Sequence, residues 1–363
     1  MKVLHVETGM HLYGGAKQVT YIIKGLQEQG VSNVLCIPKN SDISEWASQQ
    51  PIQVRTTDTA GDLDLRFYRQ LSQIMRDEKP DLVHLHSRRG ADVLGGIAAK
   101  SNNIPCILSR RVDNKESKWV VNIKYRLYDH VITISEGIKR VLLSEGVPDN
   151  KITCVHSAVD AEKYTTPESR RCFLEEFRLP EDTFCIGVVA QLIQRKGHRY
   201  LLEVLPELVQ QYPNIRVLIF GKGPLKDDLK TSVAELGLAD HVQFTGFRND
   251  LEKWLGCLDL VVHPAEIEGL GVSLLQAASA GVPIIASNAG GMPEVVHHQK
   301  NGLLINAGDT QSLAAGIRQI MADEKLRLNM QKAGPEIIQQ YFSIPSMIQG
   351  NLQVYRQVLS ARA

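Results

Sequence analysis

Long apolar runs are missing from this 363-residue sequence. No stretch approaches the 18 or so consecutive apolar residues of a membrane-spanning helix, so the chain is expected to be soluble or to meet a membrane only from the side. A large excess of either charge is missing too. The 41 lysines and arginines face 40 aspartates and glutamates, a formal net charge of +1, which argues against a chain built mainly to bind nucleic acid. Cysteine is sparse and unpatterned. The six (Cys36, Cys106, Cys154, Cys172, Cys185 and Cys257) lie mostly in apolar runs, without a C-x-x-C pair. That excludes a disulfide frame or a zinc ribbon and leads us to expect reduced, buried thiols in a cytoplasmic protein. The opening MKVLHVETGM is too short and polar for a signal peptide and reads as a first buried strand. Low-complexity tracts and short repeats are absent. So is the G-x-G-x-x-G turn that a dinucleotide-binding dehydrogenase places after its first strand, since HLYGGAKQV does not supply it.

What is present is a regular alternation of short apolar runs with amphipathic helical segments, over a length that favours two domains. In the first half the strand candidates are Val3–Val6, Asn33–Ile37, Leu82–Leu85, Pro105–Leu108, Val131–Ile134 and Ile152–Val155. Between the first two, Val19, Ile22, Ile23 and Leu26 share one helical face, and Gly30 ends the helix. The second half repeats the rhythm with Phe184–Val189, Val217–Phe220, Val242–Phe244, Leu258–Val262, Pro283–Ala286 and Leu303–Ile305. Strands alternating with helices imply a parallel sheet covered on both faces. The predicted class is α/β, with two Rossmann-like, doubly wound domains facing a cleft: residues 1–160, a polar linker over 161–180, and residues 181–343. A terminal helix over 344–363 is expected to pack back toward the N-terminal domain. Ligands of such sheets bind at the carboxyl ends of the strands.

The most informative segment is EGLGVSLLQAASAGVPIIASNAGGMPEVV, Glu268 to Val296. It reads as loop, helix, strand, loop, helix. Glu268 and Gln276 are eight apart, about two helical turns, so both can approach one ligand. Gly269 and Gly271 let the backbone come close to it, and Gly290 and Gly291 open a second tight turn with Pro293 at the next helix start. Two consecutive strand-end loops of this kind are more than loop punctuation.

This segment resembles the donor-site signature of the retaining glycosyltransferases of family four, whose two-domain architecture is called GT-B. Glu268, Gly269, Gly271, Gly281, Pro283, Gly290, Gly291, Pro293 and Glu294 match it. The resemblance covers nearly the whole chain. YGGAKQVTYIIKGL is similar to the family's Gly-Gly loop and first helix, AQLIQRKG to its phosphate-binding strand end, and FGKGPL and FTGFRND to its nucleotide loops. HVITISEGIKRVLL with KITCVHSAVD resembles its interdomain approach, with His156, Ser157 and Ala158 where the family usually has asparagine and glycine. The resemblance implies transfer of a hexose-type sugar from a nucleoside-diphosphate sugar to an acceptor hydroxyl. Lys196, with Arg195 as a neighbouring candidate, would face the pyrophosphate, and Glu268 would bind the sugar hydroxyls. Gln276 would meet the ribose, and Gly14 and Gly15 would close over the phosphates. Phe247 and Arg248 lie where the base is held, largely through backbone groups, and Glu294 with the Gly291 amides would hold sugar or phosphate. Gln191 stands where the family has an arginine and Gln276 where it has a second glutamate. These departures keep alive a nucleotide-sugar-binding protein with little or no turnover; a GT-B-like epimerase is another alternative. No cofactor and no metal are expected. Asp62-Leu63-Asp64 spells the D-x-D of the other common glycosyltransferase architecture, but reads as a solvated loop.

The family's N-terminal domain carries the acceptor. From Arg88 to Arg126 nine basic residues face Asp92, Asp113 and Glu116. The arginine pairs Arg88–Arg89 and Arg110–Arg111 at strand ends are the candidates for binding an anionic glycan or glycolipid; the scattered lysines read as solvated face. Attraction of the basic stretch to the cytoplasmic face of a membrane is the competing use. His84 and His86 are expected on opposite faces of their strand, with His86, at its carboxyl end, facing the cleft. Cell-envelope polysaccharide or lipopolysaccharide-core synthesis is the expected pathway.

Overall fold

The structure, a computed structural model, describes residues 1–58, 64–87 and 90–362. Asp62, Leu63, Arg88 and Arg89 lie outside the described residues; Asp64 is the N-cap of the helix Leu65–Glu78, accepting from the Arg66 amide at 2.8 Å. The chain divides into two compact units, Met1–Ala158 with Ile344–Ala363, and Val159–Ser343.

The first unit holds a parallel sheet of β1 (Lys2–Val6), β2 (Ser32–Pro38), β3 (Gln53–Thr57), β4 (Leu82–Leu85), β5 (Cys106–Arg110), β6 (His130–Thr133) and β7 (Ile152–Cys154), in the order β3-β2-β1-β4-β5-β6-β7. Its strands are apolar on both sides because helices cover both faces. Alternate residues therefore enter different cores: Leu4, Val34, Val83 and Leu108 join one cluster, while Val3, Leu82, Ile107 and Ile132 join another. The sequence reading missed β3. Its QVRTT is an edge strand in which only Thr57 is buried, so it carries no apolar run. The last helix, Ile344–Ser360, belongs to this unit and packs beside the helix Gly14–Glu28. Ile348 occupies the space that a side chain at Gly25 would fill.

The second unit repeats the plan with β8 (Phe184–Val189), β9 (Ile215–Phe220), β10 (Val242–Gly246), β11 (Leu260–His263), β12 (Ile284–Ser287) and β13 (Gly302–Ile305), ordered β10-β9-β8-β11-β12-β13 and parallel. In both sheets the strand order reverses once, between β1 and β4 and between β8 and β11. These are the switch points where crevices open at the carboxyl ends. Residues 161–180, read from sequence as a linker, instead pack into this unit. Phe173 and Phe177 are buried, and Phe177 meets Phe220 and Trp254 edge-on at 5.8 and 5.7 Å. Arg170 ties the segment to the carbonyls of Cys257 and Thr183 and to Asp259. Burying each phenylalanine contributes about 1.5–3 kcal/mol, which holds the segment down; the polar composition reflects its outer side. Four cysteines are buried and Cys154 is partly so, but Cys172 is exposed, against the expectation of burial.

Candidate functional site

In the second unit the sequence-selected residues gather where β8 and β11 end. After β8 the chain runs through Gln191, which is exposed, into a short 3-10 turn, Gln194–Lys196. Gly197 then turns it into the helix His198–Gln211 with φ +71°, its Cα against the Pro264 carbonyl, so any side chain there would collide with backbone. This turn buries Lys196 and points it at Glu268, in the loop after β11; the two form an ion pair. The Arg195 carbonyl accepts from the Glu266 amide at 2.9 Å and locks the two loops together. His263, the last residue of β11, lies 3.2 Å from the same carboxylate oxygen, and since a carboxylate only accepts, its Nε2 carries the proton. Burial pushes the Glu268 carboxyl upward, but the His263 hydrogen bond and the Lys196 charge outweigh it and hold it well below the ordinary range. Burial drives His263 below its usual value, so it is neutral.

The glycine loops close on this cluster. The Gly291 amide donates to the Glu268 carbonyl at 3.0 Å, and Gly290, at φ +58°, passes so close that a Cβ would strike that carbonyl. Glu294 starts its short helix by donating its amide to Gly291. Gly269 is buried, and Gly271 leads into the helix Val272–Ser279. On that helix Gln276 donates to the Tyr164 hydroxyl at 2.7 Å. Phe247 and Arg248 follow β10 at the sheet edge. Phe247 is half exposed with the Lys222 ammonium 5.4 Å from its ring. The Arg248 side chain forks onto both Asp250 oxygens at 2.8 and 2.7 Å and reaches Glu176 at 2.8 Å, so it braces its own loop.

In the first unit Gly14 and Gly15 begin the helix Gly14–Glu28, and Tyr13 gives it no side-chain cap. A side chain at Gly15 would touch Arg111. Arg110 is not the open surface arginine that sequence suggested. It is 2% exposed, paired with Glu116 at 3.4 Å and bonded to the Asn114 carbonyl at 2.5 Å, beside the buried Lys124–Asp92 pair at 2.7 Å. Consecutive strand residues point to opposite faces, so the double arginine is split. Arg111 takes the other side and approaches His86 Nδ1 at 3.4 Å. The expectation that His84 and His86 face apart is also wrong. The pleat repeats every two residues, so they share a face, with ring centroids 3.8 Å apart and His5 alongside.

The family description "Glycosyltransferase Family 4" matches residues 13–163, and "Glycosyl transferases group 1" matches residues 170–337. Between them the two glycosyltransferase descriptions span most of the chain, the first lying largely in the first unit and the second in the second unit. A glycosyltransferase of Methanocaldococcus jannaschii is 26% identical over 62% of this chain, a stretch spanning only 59% of that protein. The UDP-Gal:alpha-D-GlcNAc-diphosphoundecaprenol alpha-1,3-galactosyltransferase of Escherichia coli is 25% identical over 76% of this chain and 75% of its own length. Among solved structures, Anabaena HepE in complex with UDP superimposes with a TM-score of 0.87 at 21% identity, covering 98% of this chain and all of HepE, which shows the GT-B fold.

Three residues near the family's motif escaped sequence reading. His263 left one signal, a polar residue closing an apolar strand five positions before Glu268. Tyr164 left none, because it reaches Gln276 across 112 residues. His198 follows the Lys-Gly turn directly; it is buried with neither ring nitrogen partnered, and burial, with His263 and Lys196 nearby, pushes it down to about 4.

Proposed function

We propose that the chain is a retaining glycosyltransferase. It moves a hexose-type sugar from a nucleoside-diphosphate sugar to a hydroxyl of an anionic glycan or glycolipid, in cell-envelope polysaccharide or lipopolysaccharide-core synthesis. The observation that carries this reading is the buried Lys196–Glu268–His263 cluster at the β8–β11 switch point. A carboxylate held ionised beside an ammonium accepts hydrogen bonds from sugar hydroxyls but has no proton to give, so Glu268 is a binding group and not a general acid. Its stabilised charge also makes it a weak nucleophile. The chemistry left is attack of the acceptor hydroxyl on the face from which the diphosphate departs, with a phosphate oxygen taking the acceptor proton. Lys196 offsets the charge that builds on that phosphate. The Escherichia coli relative's named substrate is a sugar on a lipid diphosphate, which favours an anionic, lipid-linked acceptor. Trp119 and Ile123 stand 73% and 52% exposed in a segment that also carries Lys115 and Lys118, a surface suited to meeting lipid.

The test is turnover of a panel of UDP- and GDP-sugars with lipid-diphosphate-linked and phosphorylated glycan acceptors, followed by release of nucleoside diphosphate and by NMR of the product's anomeric carbon. Retained configuration in an acceptor-dependent product is expected. Interconversion of the donor without acceptor would mark an epimerase, and tight donor binding without turnover a binding protein; either result overturns the reading.

A further inference from the structure

Arg111 is the unusual one of the arginine pair. Arg110 is neutralised by Glu116, whereas among the described residues no carboxylate comes within ion-pair distance of Arg111, although its Nε is buried. The buried carboxyl of Glu7 acts on Arg111 from beyond ion-pair distance, and burial pushes that carboxyl above its ordinary range. A buried guanidinium with so weak a counter-charge is costly and leaves room for an anion from elsewhere. Apart from Glu7, the neighbours that hold it are neutral. Arginine only donates, so His86 Nδ1 must present a lone pair and its Nε2 must carry the proton. That proton goes to His5 Nδ1, 2.9 Å away, which places the His5 proton on Nε2. From there it goes to Asn33 Oδ1 at 3.0 Å, and the Asn33 amide is oriented by donating to the Val31 carbonyl at 2.9 Å. Every donor meets one acceptor in a single order running from Val31 to Arg111. On the other edge Arg111, Ser157 and Asn351 line a small cavity of about 10 Å³, and Arg111 Nε, Ser157 Oγ and Asn351 Oδ1 are all unpartnered. A single water with these three partners fits there.

We propose that Asn33, His5 and His86 are positioning residues that hold Arg111 as the receptor for a phosphate or carboxylate group of the acceptor. A neutral imidazole orients the guanidinium less firmly than a carboxylate would, but adds no charge of its own to offset what the ligand meets. Burial pushes both His5, to about 4, and His86 below their usual range, in keeping with neutral rings. The same rings, with His84, bring three ring nitrogens within 4.8 Å of one another. A metal there would sit against the Arg111 cation and break the chain, so hydrogen bonding is the use the geometry favours. The inference rests on the reading of an anionic acceptor given above.

The experiment uses the whole chain labelled with 15N-histidine. Long-range 15N–1H correlation, assigned through His5→Gln and His86→Asn, is expected to show neutral Nε2–H tautomers for both rings, unchanged by zinc. Cationic rings, an Nδ1–H tautomer at His86, or zinc-dependent shifts would overturn the proposal. Inorganic phosphate, titrated with UDP at saturation, is expected to shift the His86 signal in wild type but not in Arg111→Ala. Loss of that response when UDP is added would mean that Arg111 serves the donor diphosphate instead, and the proposal would fail. In kinetics, His86→Leu is expected to raise the acceptor KM roughly tenfold with donor KM unchanged, and His86→Asn, which keeps an acceptor at the Nδ1 position, to restore most of it. Equal acceptor KM in wild type, His86→Leu and Arg111→Ala in an active transferase overturns the positioning role. Phosphate binding with the stated tautomers in a chain that transfers no sugar would keep it and sink the transferase reading instead.

Discussion

In the proposed transferase single residues carry the chemistry, most of it assigned to Glu268. Its carboxylate is shared between Lys196 and His263, so removing it has two consequences. Glu268→Ala should lower kcat by about 10² or more, the loss typical of an interaction that strengthens in the transition state, while UDP affinity changes little. The variant should also melt earlier, because Lys196 is left buried without a partner. Steady-state kinetics beside calorimetric UDP binding checks the first, and ordinary turnover would remove Glu268 from the site. The pH dependence has a definite sign. A carboxyl held below its unfolded value of 4.5 contributes stability that is fully present above that pH and is lost as the pH falls toward the lower folded value. Wild type should therefore lose more stability than Glu268→Ala on going from pH 6 to pH 3. Glu268, Lys196 and Gln276 could be read from sequence because motif spacing names them. The split fate of Arg110 and Arg111 could not, since adjacent letters give no hint that one side chain enters a buried charge network while the other escapes it.

At the scale of elements, the site is a set of strand-end loops whose backbones touch. Gly290 is the tightest point: a Cβ would overlap the Glu268 carbonyl, and φ is +58°. Gly290→Ala should lower stability by about 1–3 kcal/mol, the scale of local backbone strain, and weaken donor binding by displacing Glu268. Differential scanning calorimetry with UDP-sugar titration reads both; a wild-type melting temperature and donor affinity together would show that the loop yields freely. Most strands were legible as apolar runs. Gln53–Thr57 was not, because edge position replaces hydrophobicity as the reason for pairing. Residues 161–180 were misread for the opposite reason. Phe173 and Phe177 lie in a charged segment, and only the packing of Phe177 against Phe220 and Trp254, with Phe173 beside it, makes them core.

For the whole molecule, the last helix does not belong to the unit that precedes it in sequence. Ile344–Ser360 buries Met347, Ile348, Leu352, Val354, Tyr355 and Val358 in the core of the first unit. At about 1.5–3 kcal/mol per buried side chain, their loss rivals the whole stability of a typical domain. Truncation after Ser343 should therefore unfold the first unit and spare the second, which has its own core. Limited proteolysis should then leave a protected fragment near residues 159–343. Protection of residues 1–158 in the truncated chain would show that the helix is dispensable.

The sequence by itself determined the class of the protein. Alternating apolar and amphipathic segments define two parallel sheets, and the glycine and glutamate spacing of residues 268–294 carries the resemblance to the glycosyltransferases. Both are local patterns, fixed by backbone geometry within a few tens of residues. Only the tertiary structure decided which groups meet: His263 on Glu268, Tyr164 on Gln276, and the chain Asn33–His5–His86–Arg111. Those contacts join residues from different strands and helices. Hydrogen bonding and charge depend on distance in space, which the order of residues along the chain does not encode directly.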